Sequence, residues 1–259
     1  MGFRKVAVEA VKESGKVIRE NFGHVKGLKI KHGDWRDLVT DIDIETNNII
    51  LNILKENFPD HGIISEEAKP FERGSDYVWF VDPMDGTTNY TVAFPFIGTC
   101  IGLTFKGKPI LGVVYNPIID ELFVGEDGKG ATLNGEGIRV SENSELKKTI
   151  VSFCHMNTPE SIRDVEKPFW YFKTNARDYR KFGSGGLEIC WVACGRNDVY
   201  FRPDMILHDV IPGYVIAKEA GAKITDWQNR PWTLESKDLL VTNGTNIHEN
   251  VLGIINRSK

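Results

Sequence analysis

The residues with the clearest chemical potential are Asp82-Pro83-Met84-Asp85-Gly86-Thr87-Thr88-Asn89, which directly follow the apolar run Tyr77-Val78-Trp79-Phe80-Val81. Two carboxylates three residues apart flank a proline that fixes one φ angle, so both are held in a restricted volume. Gly86 lets a ligand approach the backbone, and Thr87, Thr88 and Asn89 offer N–H groups and hydroxyls where a helical turn could start, a seat suited to phosphate. The same string also reads as an Asx-turn and cap after an edge strand.

Two further acidic features change the weight of that alternative. Glu66-Glu67 follow the apolar pair Ile63-Ile64, and Asp209 stands before Val210 at the mouth of a helical stretch that stops at Gly221. Singly, they read as a solvated loop and a helix N-cap. If all these side chains converge, they repel one another unless a cation lies among them. Every candidate donor is an oxygen, with no His or Cys at zinc-site spacing, which suits Mg²⁺ or Mn²⁺ rather than Zn²⁺ or copper. Beside backbone N–H groups, such a cluster suits phosphate transfer, with two ions roughly 3.5 to 4 Å apart clamping the attacking and leaving oxygens.

Positioning these groups requires a layered scaffold, and the hydrophobic pattern supplies its parts. Phe3, Ala7, Ala10, Val11, Ile18 and Phe22 have helical spacing, with Gly23 as a stop; Ile42, Ile49, Ile50, Ile53 and Leu54 mark a second helix between Asp41 and Phe58. Between them, residues 24–36 read as a loop or irregular hairpin whose Lys29, Lys31 and Arg36 either are solvated or face an anion. Ile97–Phe105, Pro109–Tyr115, Glu121–Val124 and Ala131–Leu133 predict an antiparallel meander. After the polar stretch 141–148, strands at 150–153, 198–201, 222–225 and 239–241 alternate with helices at 185–193, 210–220 and 248–255. The expected fold is a layered α+β or α/β sandwich, β-rich in its middle and alternating in its second half. The expected halves are 1–145, with most candidate ligands, and 146–259, with Asp209, packed as one unit.

The chain has 259 residues, 41% hydrophobic and 26% charged, with a net charge of −4, the balance of an ordinary globular protein. Nothing in that balance favours nucleic acid or an anionic membrane as partner. The four cysteines are too few for a disulfide framework, no apolar run has the length of a spanning helix, and the N-terminus shows no signal core, so a cytoplasmic setting is expected.

The string Asp82 to Asn89 resembles the D-P-(I/L)-D-G-T-(T/S)-N signature of the inositol monophosphatase family of Mg²⁺-dependent, lithium-sensitive phosphatases. It is joined in order by Asp37-Leu38-Val39-Thr40-Asp41-Ile42-Asp43, Ser65-Glu66-Glu67, and His208-Asp209 leading into Glu219-Ala220-Gly221-Ala222. The resemblance implies that Glu66, Asp82 and the carbonyl of Met84 hold one metal, and that Asp82 bridges to a second held also by Asp85 and Asp209. It further implies that Glu67 acts through water near a weaker third metal. Thr87, bonded to Asp43, would orient and help deprotonate the attacking water, while Gly86 and Thr87 N–H groups grip the phosphate. Ser184 and Gly185 would touch the hydroxyl-bearing part of the substrate. A small phosphate ester as partner and a homodimer are implied as well.

The sequence departs from the family pattern W-D-x-A-A-G, reading His208-Asp209-Val210-Ile211-Pro212-Gly213 instead. His208 is either a packing substitute or a polar group on the leaving-group side; Pro212 is expected within a first helical turn, where its missing N–H is harmless. Arg202, seven residues before Asp209, either pairs with an acid such as Asp204 or welcomes a second anion, as in fructose 1,6-bisphosphate. Cys190 and Cys194, one helical turn apart, read as core. The leading expectation is an inositol-1-phosphate phosphatase. Alternatives are a fructose-1,6-bisphosphatase or dual sugar phosphatase and, further off, a histidinol-phosphate or nucleotide 3′-phosphatase. A non-catalytic scaffold would predict a missing ligand, and none is missing.

Overall fold

A computed structural model describes residues 2–71 and 73–257. The first half runs α1 (Phe3–Asn21), β1 (Lys29–Ile30), β2 (Leu38–Val39), α2 (Asp41–Asn57), β3 (Gly62–Ser65), β4 (Tyr77–Asp85), α3 (Thr87–Thr91), β5 (Gly98–Phe105), β6 (Lys108–Asn116), β7 (Glu121–Glu126), β8 (Ala131–Leu133) and β9 (Glu136–Gly137). The second runs β10 (Ile150–Phe153), α4 (Pro159–Glu166), α5 (Phe169–Asn175), β11 (Asp178–Arg180), α6 (Gly185–Ala193), β12 (Val199–Arg202), α7 (Leu207–Glu219), β13 (Lys223–Thr225), β14 (Leu239–Thr242) and α8 (Ile247–Arg257). Among the described residues, no helix is long and apolar enough to cross a membrane.

Strands β3 to β9 form one sheet in chain order, parallel only between β3 and β4; the rest is the expected antiparallel meander. A second sheet has the order β11-β10-β12-β14-β13. The period of two along each strand sends alternate side chains into different layers. Trp79 and Val81 pack with Val6, Ala10 and Val11 of α1 and Ile50 and Leu54 of α2, whereas Phe80 packs with the α6 and α7 residues Leu187 and Ile211. In the second sheet Tyr200 and Val241 face that same α6/α7 layer, and Phe201 and Leu240 face Phe172 of α5 and Val251 of α8. The result is the expected layered sandwich, helices alternating with sheets.

How closely α7 lies on the first sheet is set by glycine. Gly102, Gly112 and Gly125 are cross-strand neighbours on β5, β6 and β7, and a Cβ on Gly112 would come 2.0 Å from the carbonyl oxygen of Pro212. Side chains there would lift the helix, and Asp209 with it, away from β4.

Several local expectations are corrected. Helix α7 begins at Leu207 with Ile206 as its cap, so Asp209 lies inside the first turn and is not the N-cap. The apolar pair Val210-Ile211 conceals this earlier start because Ile206 caps without a side-chain acceptor. Pro212 lies past the first turn, where it removes the N–H that would have bonded the carbonyl of His208. The sequence pattern predicts no element between 154 and 184, yet α4, α5 and β11 lie there; α4 starts on a Thr158 cap with Pro159 behind it, and both helices are too short for an apolar period to stand out.

Candidate active site

Alternation would place Asp82 and Asp85, three residues apart on β4, on opposite faces of the sheet. The strand avoids this with a bulge: from Asp82 opposite Cys100 to Asp85 opposite Gly98, β4 advances three residues while β5 advances two. Both carboxylates therefore turn the same way, and oxygens of Asp82, Asp85 and Asp209 lie within 4.8 Å of one another. All three side chains are largely buried, at 3%, 8% and 8% exposure.

That burial is the main cause of the upward pKa shifts of Asp82 and Asp85; the neighbouring charges of Glu66 and Asp209 add to it at Asp82, and Asp209 at Asp85. Against this, Asp82 Oδ1 accepts from Met84 N at 2.9 Å. Asp85 accepts from Ser184 Oγ (2.7 Å), Gly185 N (3.2 Å) and Gly186 N (2.7 Å), all from the start of α6. Ser184 and Gly185 are thus buried against Asp85 and are not among the residues that line the cleft. Gly186, which the sequence reading did not select, belongs to the same clamp; the run Gly183-Ser184-Gly185-Gly186 was its only signal.

Glu66 leaves the end of β3 and faces three neighbours. Its Oε1 accepts from Lys31 Nζ at 2.8 Å, its Oε2 is 3.7 Å from His208 Nε2, and an oxygen of it lies within 4.8 Å of donors from Asp82 and His208. Lys31 also donates to Glu67 Oε1 at 2.7 Å. The hairpin β1–β2 carries the lysine there, so of the two readings of this basic loop neither describes Lys31: it pairs with acids of the protein itself. Burial opposes the Lys31 charge, but Glu66 and Glu67 outweigh it and hold its pKa above the usual lysine value. Glu67 is raised chiefly by burial, with Lys31 opposing.

Thr87 Oγ1 donates to Asp43 Oδ1 at 2.9 Å, and Asp43 Oδ2 accepts from Thr40 N at 2.8 Å and from the Thr40 hydroxyl. A capping box at the start of α2 thereby fixes the carboxylate that meets Thr87. Burial, partly offset by Thr40 and Thr87, pushes Asp43 up. Gly86 holds φ at +109°, and a Cβ there would lie 3.1 Å from Phe96 O and 3.2 Å from Gly183 O, so both conformation and space require glycine. Asn89 Nδ2 donates to Phe96 O and Phe182 O at 2.8 and 2.7 Å, tying the turn to the loop that precedes Ser184.

The cleft above these groups has a volume of about 200 Å³ and is lined by Asp82, Asp85, Thr87, Thr88, His208 and Asp209 among others. Arg202 lies behind it. At 1% exposure, its guanidinium is taken up by Asp204 Oδ1 (2.6 Å from Nη2) and Asp209 Oδ2 (3.2 Å from Nη1), which corrects the idea that it awaits a second anion. His208, by contrast, faces the cleft 3.4 Å from Asp209 Oδ1, and is not a packing substitute. Cys190 is core and Cys194 half-buried, both as free thiols.

The oxygen-rich, buried and mutually repelling donor set fits hard divalent cations. Residues 2–259 match the inositol monophosphatase family. The chain belongs to that family. It is 42% identical over 250 residues to inositol monophosphatase 3 of Solanum lycopersicum, covering 93% of this chain and 92% of that one. A protein of Thermotoga maritima named fructose-1,6-bisphosphatase/inositol-1-monophosphatase is 32% identical over 250 residues, covering 96% and 94%. The solved structure of a Thermotoga maritima IMPase superposes with a TM-score of 0.92 at 30% identity, covering 100% of this chain and 98% of that one. Membership supports a phosphatase acting on a phosphate ester.

Proposed function

We propose that this inositol monophosphatase family member is an Mg²⁺-dependent phosphomonoesterase that hydrolyses myo-inositol 1-phosphate to inositol and phosphate. The observation that carries the reading is the meeting of Asp82, Asp85 and Asp209, with oxygens within 4.8 Å, in a buried setting where Arg202 and His208 come within ion-pair distance only of Asp209 among the three. Glu66, Asp82 and the Met84 carbonyl would hold one Mg²⁺, and Asp82, Asp85 and Asp209 another, Mn²⁺ being a substitute. Bound there, the ions would neutralise phosphate charge and make a water nucleophilic at neutral pH.

The chain's own groups do the rest. Thr87 orients the attacking water and passes its proton toward Asp43, whose burial-raised pKa makes it a better acceptor than an exposed carboxylate. The N–H groups of Gly86 and Thr87, with the exposed Thr88 at the rim, receive phosphate oxygens. Ser184 and Gly185 act through Asp85, and Arg202 through Asp209, as positioning residues. Lys31 already places a positive charge between Glu66 and Glu67, which favours two ions over three. The halves 1–145 and 146–259 both contribute, since Asp209 comes from the second. Lithium sensitivity and a homodimer, which rest on the family resemblance, and a cytoplasmic setting, which rests on the sparse, unpaired cysteines, complete the reading.

Phosphate release from inositol 1-phosphate, with and without Mg²⁺ and Li⁺, tests it: Mg²⁺-dependent, Li⁺-inhibited release is expected, and background release with Mg²⁺ present rejects it. A second reading, dual action on fructose 1,6-bisphosphate, is favoured by the name of the Thermotoga maritima relative. A kcat/KM for the bisphosphate within about tenfold of that for inositol 1-phosphate, roughly 1.4 kcal/mol in transition-state binding, would establish it.

A further inference from the structure

We infer that His208 is a nitrogen ligand of the ion held by Glu66 and Asp82, and that it makes this position selective for a first-row transition ion such as Mn²⁺ or Co²⁺ over Mg²⁺. The inference rests on the proposed metal role of Glu66 and Asp82 and adds to it a donor the family pattern lacks. Where that pattern has Trp, this chain has His208; an indole N–H is only a donor, whereas a neutral imidazole carries a ligating lone pair.

The geometry singles out this nitrogen. Donor atoms of Glu66, Asp82 and His208 lie within 4.8 Å of one another. His208 Nε2 is 3.7 Å from Glu66 Oε2 and 3.4 Å from Asp209 Oδ1. Two donors on one ion with bonds of about 2.0 to 2.2 Å stand roughly 3 to 3.5 Å apart, so these separations need only a small side-chain adjustment. Lys31 occupies Oε1 of Glu66, leaving Oε2 as the oxygen that faces the histidine. Placement on the first turn of α7, beside Asp209, fixes the imidazole at the cleft wall with its side chain 19% exposed.

The two positions then differ in chemistry. Asp82, Asp85 and Asp209 offer only oxygen and suit Mg²⁺; Glu66, Asp82 and His208 offer oxygen plus imidazole, a nitrogen donor that first-row transition ions accept more readily than Mg²⁺ does. One protein would carry a hard site and a borderline one sharing Asp82.

The test adds one equivalent of Mn²⁺ to the full-length protein over a large excess of Mg²⁺ and records pulsed EPR. An imidazole ¹⁴N coupling is expected in the wild type and absent in both His208→Trp and His208→Asn, with folding of each variant checked by circular dichroism. By calorimetry, Mn²⁺ affinity should fall at least as much as the roughly tenfold loss typical of an outer-sphere partner, while Mg²⁺ affinity at the oxygen-only position changes little. Absence of nitrogen coupling in a wild type that binds Mn²⁺ and hydrolyses inositol 1-phosphate overturns this inference alone. Failure to bind either ion overturns the underlying metal assignment, and the inference with it.

Discussion

Ser184 Oγ donates to Asp85 Oδ2 at 2.7 Å across 99 residues of chain, and the N–H groups of Gly185 and Gly186 complete the clamp. Ser184 thus sets the orientation of a carboxylate in the metal cleft. Replacing it as Ser184→Ala leaves the backbone donors in place, so the fold should lose only about 1 kcal/mol. Because Asp85 then keeps only its two backbone donors and is held less tightly, Mg²⁺ affinity should fall by about 10-fold. Calorimetric titration alongside urea unfolding separates the two, and an unchanged Mg²⁺ affinity would show that the backbone donors suffice.

Arg202→Ala leaves Asp204 and Asp209 without their shared guanidinium in a buried place, and should cost about 3 to 5 kcal/mol of stability. Since Arg202 is behind the cleft, the ratio of kcat/KM for inositol 1-phosphate to that for fructose 1,6-bisphosphate should not move. A selective loss with the bisphosphate would return Arg202 to substrate recognition.

Lys31→Gln removes a positive charge from within 2.8 Å of Glu66 and 2.7 Å of Glu67. A like charge this close repels an incoming cation by about 1 kcal/mol even at the screening of bulk water, so cation affinity at Glu66 should rise by about fivefold or more. The metal-free protein should at the same time become less stable, because Glu67 loses its partner at 6% side-chain exposure. Mn²⁺ titration and thermal unfolding without metal measure the two effects; a weaker Mn²⁺ affinity would mean that Lys31 holds the site open.

Glu188 on α6 accepts from Phe182 N and Gly183 N at 3.1 and 3.0 Å, anchoring the loop ahead of Ser184. Burial raises its pKa from 4.5 to about 7, against the opposing bonds from Cys154 and Gly183. The folded state therefore holds this proton more tightly than the unfolded chain. Its contribution to stability is complete below about pH 4.5 and is lost as pH rises through 7. Glu188→Gln keeps an acceptor and removes the titration. Between pH 5 and 8 the wild type should lose up to about 3 kcal/mol more stability than the variant in metal-free urea unfolding. Both proteins retain Asp82 and Asp85, so the difference isolates Glu188, and parallel curves would contradict the assignment.

The amino-acid sequence by itself determined what depends on neighbours along the chain. Helical spacing in α1 and α2, the meander from β5 to β8, and the run from Asp82 to Asn89 at a strand end are all local patterns, and the layered fold followed from their order. Local spacing could not say what a side chain meets from a distant segment. Lys31 reaches Glu66 over 35 residues, Ser184 reaches Asp85 over 99, and Thr87 reaches Asp43 over 44. Nor could it place His208, because its neighbour Glu66 lies at the end of β3 in the other half of the chain. The family resemblance had implied the Thr87–Asp43 bond; the pairings of Lys31, Ser184 and His208 were decided only by the tertiary structure, where the bulge in β4 turned two acids to one side and the glycine row beneath α7 let Asp209 and His208 descend onto them. Close approach between remote segments is a property of packed layers, and no period or motif along one strand or helix encodes it.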